Sequence, residues 1–204
     1  MPQTRVEYLV HLCSRIIGRV FTEFLSGSFF SIGDGTTIIP PLRFRNLSQV
    51  QLGRGVIIHS HCWIQTLRGP GKGGIPKLII KDYAAIGMNA TISAAQQILI
   101  GEHVVLARNV YISDHGHEYH DIKSPIGCQG ISNIAEVKIG ANSWLGQNSV
   151  ILPGVKIGRN CVIGANSVVN QSIPDYSMAV GIPAKVVKAF NDKTGAWERV
   201  GLDE

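Results

Sequence analysis

The sequence predicts an all-β protein, a parallel β-helix built from six-residue repeats. The prediction rests on a six-residue spacing of aliphatic residues, small residues at a fixed offset, and asparagine or glycine just before these small residues. Helices repeat near 3.6 residues and strands near 2, whereas a period of six is typical of a parallel β-helix with coils of about 18 residues. The aliphatic positions of the second half of the chain are Ile139, Leu145, Ile151, Ile157, Ile163 and Val169.

Each position of the repeat has a predicted place in the coil. The aliphatic residue points inward and stacks on its neighbours in the coils above and below. The residue four positions later fills a corner, and the asparagine or glycine before it adopts the left-handed backbone that a corner requires. The corner residues are Ser143, Ser149, Val155, Cys161 and Ser167, and the residues before them are Asn142, Asn148, Gly154, Asn160 and Asn166.

The same spacing continues upstream with two breaks, at residues 68–77 and 117–136, which are too polar or too rich in glycine and proline for strands. A solenoid coil contacts only its neighbours, so loops can leave it without disturbing the core. Long loops on a compact scaffold are more often functional than accidental. The upstream inward positions are Ile32, Ile38 and Phe44; Leu52, Ile58 and Ile64; Ile80, Ile86, Ile92 and Ile98; and Ile100, Leu106 and Ile112.

Both ends of the chain differ from the solenoid, which we assign to residues 28–190. Residues 1–27 carry apolar side chains at spacings of three and four, which predicts an amphipathic helix. Charged residues interrupt its apolar run, so we expect neither a membrane span nor a signal peptide. The helix either caps the open end of the solenoid or lies on a membrane surface. The polar tail, residues 191–204, is expected to be a short helix or disordered.

Composition narrows the class of partner. The net charge of +5 is small and scattered, which argues against nucleic acid and suits an anionic small molecule or an anionic membrane surface. The four cysteines have no zinc-binding spacing. Cys62 and Cys161 fall in corner positions and are predicted to be inert packing residues. Unpaired thiols fit a cytoplasmic protein.

Two segments carry a family resemblance. The stretch NSWLGQNSVILPGVKIGRNCVIGANSVV, followed by GIPAKVVK, resembles the hexapeptide-repeat acyltransferases of the maltose and galactoside O-acetyltransferase branch. The segment VYISDHGHEYHDIKSPI is similar to sugar O-acetyltransferases of surface-polysaccharide gene clusters. The resemblance covers residues 30–190. It implies a left-handed β-helix, a homotrimer with active sites between subunits, acetyl-CoA as donor, a histidine base and no metal.

Transfer of an acetyl group to a hydroxyl needs a base near neutral pH, and histidine is the natural choice. Three histidines lie in SDHGHEYHD. Counted from the inward Ile112, Gly116 takes the corner position and His117 follows it, which is the place of the catalytic histidine in galactoside and maltose acetyltransferases. His117 is therefore the predicted general base. His115 is the second candidate, as a substrate contact or a partner of His117, and His120 belongs to the extruded loop.

Other residues are candidates for the acceptor side of the site. Asp114 and Glu118 adjoin the histidines and are candidates to orient the base, although a backbone carbonyl would serve equally. Asn89 matches in register the asparagine that contacts the acceptor sugar in galactoside acetyltransferases. The same asparagine is equally expected as a turn residue at a corner.

The resemblance also places the donor. Gln147, Ala165 and Asn170 would lie along the pantetheine arm of acetyl-CoA, and Lys185 and Lys188 would meet its phosphates as point charges. Gln147 departs from the small residue often found at its position.

Several other functions are possible on the same fold. A zinc-dependent carbonic anhydrase of the γ type needs three histidines from separate coils, whereas those of this chain lie in one loop. A non-catalytic scaffold would keep the hexads and lose the base. Serine acetyltransferases and nucleotide-sugar N-acyltransferases share the fold. The sequence favours an acetyl-CoA-dependent O-acetyltransferase acting on a sugar by direct transfer, since no serine or cysteine is expected beside the base.

Overall fold

The computed structural model describes residues 5–69 and 71–200 of the chain. An N-terminal helix, α1 (Arg5–Leu25), precedes a solenoid of short strands numbered here in chain order. Parallel pairing between successive coils gives three sheets, which form the three faces of the solenoid. The parallel β-helix predicted from the hexads is confirmed, and so is the left-handed form that the resemblance implies.

The strands fall into the three faces and one hairpin as follows. The first face contains β1 (Ser31–Ile32), β4 (Val50–Leu52), β7 (Leu78–Ile80), β10 (Ile98–Ile100), β15 (Val137–Ile139) and β18 (Lys156–Ile157). The second contains β2 (Thr37–Ile38), β5 (Ile57–Ile58), β8 (Ala85–Ile86), β11 (Val105–Leu106), β16 (Trp144–Leu145), β19 (Val162–Ile163), β21 (Ser177–Gly181), β22 (Ala184–Asn191) and β23 (Ala196–Arg199). The third contains β3 (Arg43–Arg45), β6 (Trp63–Thr66), β9 (Thr91–Ala94), β12 (Tyr111–Ser113), β17 (Val150–Ile151) and β20 (Val168–Val169). The hairpin pairs β13 (Gly116–His117) with β14 (Ile131–Ser132).

The core is a set of aliphatic columns. On the second face each inward residue pairs in register with that of the next coil, and all are at most 2 % exposed: Ile38, Ile58, Ile86, Leu106, Leu145 and Ile163. The corners have the predicted backbone, with φ of 60° at Asn142 and Asn148. The Nδ2 atom of Asn109 donates to Asn148 Oδ1, and Asn148 Nδ2 donates to Asn166 Oδ1, both at 2.9 Å, so the corner asparagines also link successive coils.

The corner cysteines are buried as predicted. Burial is the main cause that raises the pKa of both thiols, and it raises that of Cys62 to about 11. A thiol with such a pKa stays protonated at neutral pH and is a poor nucleophile. These properties fit a packing role.

Helix α1 caps the first coil. The hydroxyl of Thr22 donates to the carbonyl of Gly18 at 2.6 Å and accepts the backbone N–H of Ile38 at 2.7 Å, so it satisfies an otherwise free strand edge. The opposite face of the helix is uncovered, and its large aliphatic and aromatic side chains are 53–84 % exposed: Val6, Leu9, Val10, Ile16, Ile17, Val20 and Phe24. No helix in residues 5–69 and 71–200 is long and apolar enough to cross a membrane.

The C-terminal tail differs from its prediction. Residues 196–199 form strand β23, which pairs antiparallel with β22, so the expectation of a helix or disorder is wrong for this segment. The chain reverses at Gly195, whose φ is +66°, and the Phe190 and Trp197 rings pack at a centroid distance of 5.8 Å. This pairing depends on β22, a tertiary contact that a short polar sequence does not reveal. Residues 1–4 and 201–204 of the predicted terminal segments lie outside the described residues.

Candidate active site

Both long loops leave the solenoid at one corner. The turn between the third and first faces is called the loop corner here. It is formed in successive coils by residues 67–77, 95–97 and 114–136. The outer two segments are the loops predicted from composition, and the middle one is a tight turn between them. The loop corner is therefore where the regular surface of the solenoid is most extensively modified.

Asp114 fills the loop corner. Its carboxylate has no exposed surface and accepts the backbone N–H groups of Ala95, Gln96 and Gln97, each at 2.7 Å. These three amides belong to the tight turn one coil away, where they point toward one place. A carboxylate has enough acceptor sites for all three and one more donor.

His115 is that additional donor. Its Nδ1 lies 2.9 Å from Asp114 Oδ1, and its side chain is 10 % exposed. Because an ionised carboxylate only accepts, this contact places the proton of a neutral imidazole on Nδ1 and leaves the lone pair on Nε2. The residue next to the predicted base thus has the tautomer and the fixed orientation that a general base needs.

Ser93 is a neighbour that the sequence did not predict. Its hydroxyl oxygen lies 3.5 Å from His115 Nε2 and accepts a hydrogen bond of 2.8 Å from Gln65 Nε2. The sequence predicts no serine beside the predicted base, His117, and makes no such prediction for His115, beside which the structure places Ser93. Ser93 is 5 % exposed, so little of its side chain is accessible to a substrate. The sequence does contain a pattern that indicates polar side chains here. Gln65, Ser93 and Ser113 each follow an inward isoleucine just before the loop corner.

His115 borders an open groove of about 650 Å³. The groove runs along the third face and is lined by Tyr111, Asn133, Leu152, Pro153 and Asn170, among others. Asn170, predicted from the resemblance to contact the pantetheine arm, therefore shares a groove with His115. The groove offers apolar walls with a few polar groups, as small-molecule sites do.

The hexad count from Ile112 that selected His117 does not match the place of His117 in the structure. Gly116 and His117 form β13 of the hairpin, so Gly116 does not occupy a corner of the solenoid. The reason is Asp114, which already fills the corner and makes the chain leave the coil two residues earlier than counted. His117 is exposed, and its role as the base stays a prediction.

Glu118 and His120 pair with each other. The carboxylate of Glu118 accepts from the His120 ring and from the backbone N–H groups of Tyr119 and His120. These hydrogen bonds, that of the His120 ring first, lower the pKa of Glu118 to about 2. Glu118 thus stays ionised and contacts His120, whereas Asp114 contacts His115.

The remaining candidates lie away from His115 within one chain. Asn89 is exposed at the corner between the second and third faces, with a φ of +59°, and this corner lies at the other edge of the third face. Gln147 and Ala165 lie at the same corner in two later coils. Lys185 is exposed and Lys188 half-buried on β22. Within one chain, Asp114, His115 and Asn170 therefore lie together. The candidates at the other corner and on β22 lie elsewhere on the molecule.

No group of three metal-binding side chains that could hold an ion is found in the described part of the chain.

Sequence comparison assigns this β-helix to a class of transferases. Residues 136–171 match the family "Bacterial transferase hexapeptide (six repeats)". A galactoside O-acetyltransferase of Escherichia coli is 31 % identical over 81 % of this chain and 66 % of its own length. The putative lipopolysaccharide biosynthesis O-acetyl transferase WbbJ of Escherichia coli is 34 % identical over 60 % of this chain and 65 % of its own length. The chain belongs to the hexapeptide-repeat transferase family.

Two further comparisons set the scope of this assignment. A probable acetyltransferase of Mycobacterium tuberculosis is 39 % identical over 74 % of this chain, which spans only 47 % of that relative. This chain thus spans between about half and two thirds of these three relatives. A variant of AntD, an N-acyltransferase from Bacillus cereus in complex with dTDP-4-amino-4,6-dideoxyglucose and coenzyme A, has a TM-score of 0.70 at 20 % identity, covering 85 % of this chain and 90 % of that chain. At that identity the similarity shows the shared fold.

Proposed function

We propose that this protein is an acetyl-CoA-dependent O-acetyltransferase that acts on a sugar hydroxyl, such as one of a polysaccharide repeat unit. The observation that carries the proposal is the Asp114–His115 pair, which borders a groove shared with Asn170. Relatives named galactoside O-acetyltransferase and lipopolysaccharide O-acetyl transferase support a sugar acceptor.

The proposed reaction uses His115 as the general base. Nε2 takes the proton of the acceptor hydroxyl while the oxygen attacks the thioester carbonyl of acetyl-CoA. The tetrahedral intermediate then collapses to the acetyl ester, and the departing thiolate receives the proton from the imidazolium. Asp114 holds the ring throughout and stabilises its cationic form. Transfer is direct, because Ser93 is too little exposed to reach a thioester in the groove.

We propose a homotrimer, as the family resemblance implies, because the candidate residues lie at two separate edges of one chain. Asn89, Gln147 and Ala165 lie at the other edge of the third face, so a second copy must bring this edge to His115 if all of them contact one substrate pair. Large apolar side chains on the outer surfaces of the second and third faces would be covered by such contacts, and each is 39–50 % exposed in the single chain: Ile57, Trp63, Val105, Tyr111 and Trp144.

A thiol-release assay tests the proposed function. Acetyl-CoA is incubated with the protein and a panel of sugars, oligosaccharides and amino sugars, and free thiol is measured. We expect release that depends on a hydroxyl acceptor, from a species with the mass of a trimer in light scattering. Release with amino sugars alone would favour the nucleotide-sugar N-acyltransferase alternative. Absence of both release and acetyl-CoA binding would refute the enzyme proposal, and a fully active monomer would refute the trimer.

We further propose a cytoplasmic location with peripheral membrane contact through α1. Free cysteines and acetyl-CoA as donor support the location. The uncovered apolar face of α1 and the exposed Arg15 and Arg19 on the same helix support the contact. Leu9→Glu with Val20→Glu should abolish co-sedimentation with anionic vesicles, whereas Glu23→Gln should leave it intact. Failure of the unaltered protein to co-sediment would leave α1 with the capping role alone.

A further inference from the structure

We infer that the acceptor carries a phosphate or diphosphate group, which binds in a second groove on the first-face side of the loop corner. The inference rests on the proposed function, since it names the class of acceptor for the same site. The second groove has a volume of about 660 Å³ and lies between the two long loops. Its walls include Lys72, Ile75, Gln96, Gln97 and Glu136.

The second groove adjoins the groove of His115. Both are lined by Ile134 and Ala135, and the N–H of Ala135 donates to the carbonyl of Asp114 at 2.9 Å. The backbone N–H groups of Gln96 and Gln97 donate to the Asp114 carboxylate, so the wall of the second groove is also the support of the catalytic pair. A ligand that presents a hydroxyl to His115 can therefore extend past Ala135 into the second groove.

The second groove contains one lysine and one carboxylate in its lining, and further lysines lie beside that carboxylate. Lys138 Nζ lies 2.9 Å and Lys156 Nζ 4.0 Å from Glu136 Oε1. The pKa of Glu136 is lowered, first by the hydrogen bond from Lys138 and then by the positive charges of Lys156 and Lys72. Lys138 and Lys156 thus flank the carboxylate of Glu136, and Lys72 lines the same groove. The excess positive charge suits an anion with several oxygen atoms.

A buried lysine adds to this charge. Lys77 is 5 % exposed, and its Nζ donates to the carbonyls of Leu67 at 3.1 Å and Arg68 at 3.2 Å. Lys77, Gln97 and Glu136 each stand directly before a strand of the first face, namely β7, β10 and β15. Because these strands pair in register, Lys77 and Gln97 are neighbours in one column of the loop corner. Within the residues that the structure describes, Lys77 forms no ion pair with a carboxylate. A buried cation held only by carbonyls is favoured further when an anion binds nearby.

The phosphates of the donor are the competing source of negative charge. The predicted donor contacts Gln147, Ala165, Lys185 and Lys188 lie at or beside the second face, whereas Lys138 and Lys156 lie on the first. Within one chain the two sets of cations are thus on different faces. A test in the presence of saturating coenzyme A separates an acceptor anion from the donor phosphates.

Calorimetric titration of the coenzyme A-saturated protein with inorganic pyrophosphate tests the inference. We expect binding that Lys72→Gln with Lys138→Gln weakens by about tenfold or more. Glu136→Gln, which removes the one carboxylate of the second groove, should strengthen it. Lys81→Gln with Lys193→Gln removes the same charge from exposed positions elsewhere and should change it little. Parallel titrations with glucose 1-phosphate, UDP and a short-chain isoprenyl diphosphate identify which kind of phosphate group the acceptor carries. The compound that resembles the acceptor most should bind more tightly than pyrophosphate.

Three results would overturn the inference. They are absence of pyrophosphate binding, equal weakening in the two double variants, and loss of binding once coenzyme A is present. The proposed function is judged separately by thiol release. Rapid release with neutral sugars by a protein that does not bind pyrophosphate would leave the acetyltransferase standing and remove only the anionic acceptor.

Discussion

His115→Ala is expected to lower turnover by roughly 10²–10⁴-fold, the usual contribution of a general base. The alanine variant keeps the Asp114 carboxylate and its three backbone donors, so the loop corner should stay folded and the affinity for acetyl-CoA should change little. The measurement is steady-state thiol release with the acceptor identified in the sugar panel, with KM for acetyl-CoA determined alongside.

His117→Ala is the matched control for this prediction. His117 lies two residues away in the same loop and is the base that hexad counting selects, but its side chain is exposed on the hairpin. We expect it to retain most of the turnover. The opposite result, an active His115→Ala and an inactive His117→Ala, would refute the geometric assignment and restore the prediction from register.

Asp114→Ala is expected to affect both stability and turnover. It leaves the N–H groups of Ala95, Gln96 and Gln97 without their acceptor at a buried corner. Each buried N–H group that is left unsatisfied costs about 1–3 kcal/mol in the free energy of unfolding, so the loss should be several kcal/mol. Turnover should fall as well, because the His115 ring loses the group that fixes its tautomer. Urea denaturation measures the first effect and thiol release the second.

Asp82→Ala provides the comparison for Asp114. Asp82 also accepts a backbone N–H, that of Arg54 at 2.9 Å, but its side chain is 29 % exposed and its other partner is the exposed side chain of Arg54. Its loss should be much less destabilising and should leave turnover unchanged. Equal stability losses for the two variants, or an Asp114→Ala protein with the turnover of the unaltered chain, would contradict the role given to the buried carboxylate.

The fold could be predicted because its rules are local. An inward aliphatic residue every six positions and an asparagine or glycine with positive φ before the corner residue depend only on nearby sequence, and both recur as expected in the second half of the chain. The positions of the two loops followed from composition for the same reason. The antiparallel strand at 196–199 was missed because it forms only against β22.

The candidate site depends on contacts between coils that hexad counting does not include. The sequence singled out the loop in which His115 borders the groove, but the position of Gly116 was counted as though the coil continued past Asp114. Whether it continues depends on three amides of the turn at 95–97, which lie in the preceding coil. The contact of Ser93 with His115 likewise joins two coils, and no repeat pattern specifies it.

The most direct test of the central claim is to follow an isotopically labelled acetyl group from acetyl-CoA. The labelled donor is incubated with the protein and the accepted sugar, and both the sugar and the intact protein are examined by mass spectrometry. The account predicts a labelled O-acetyl ester on the sugar, no labelled protein at any time, and no transfer by His115→Ala. Label on the protein that disappears when the sugar is added, and that Ser93→Ala abolishes, would contradict direct transfer.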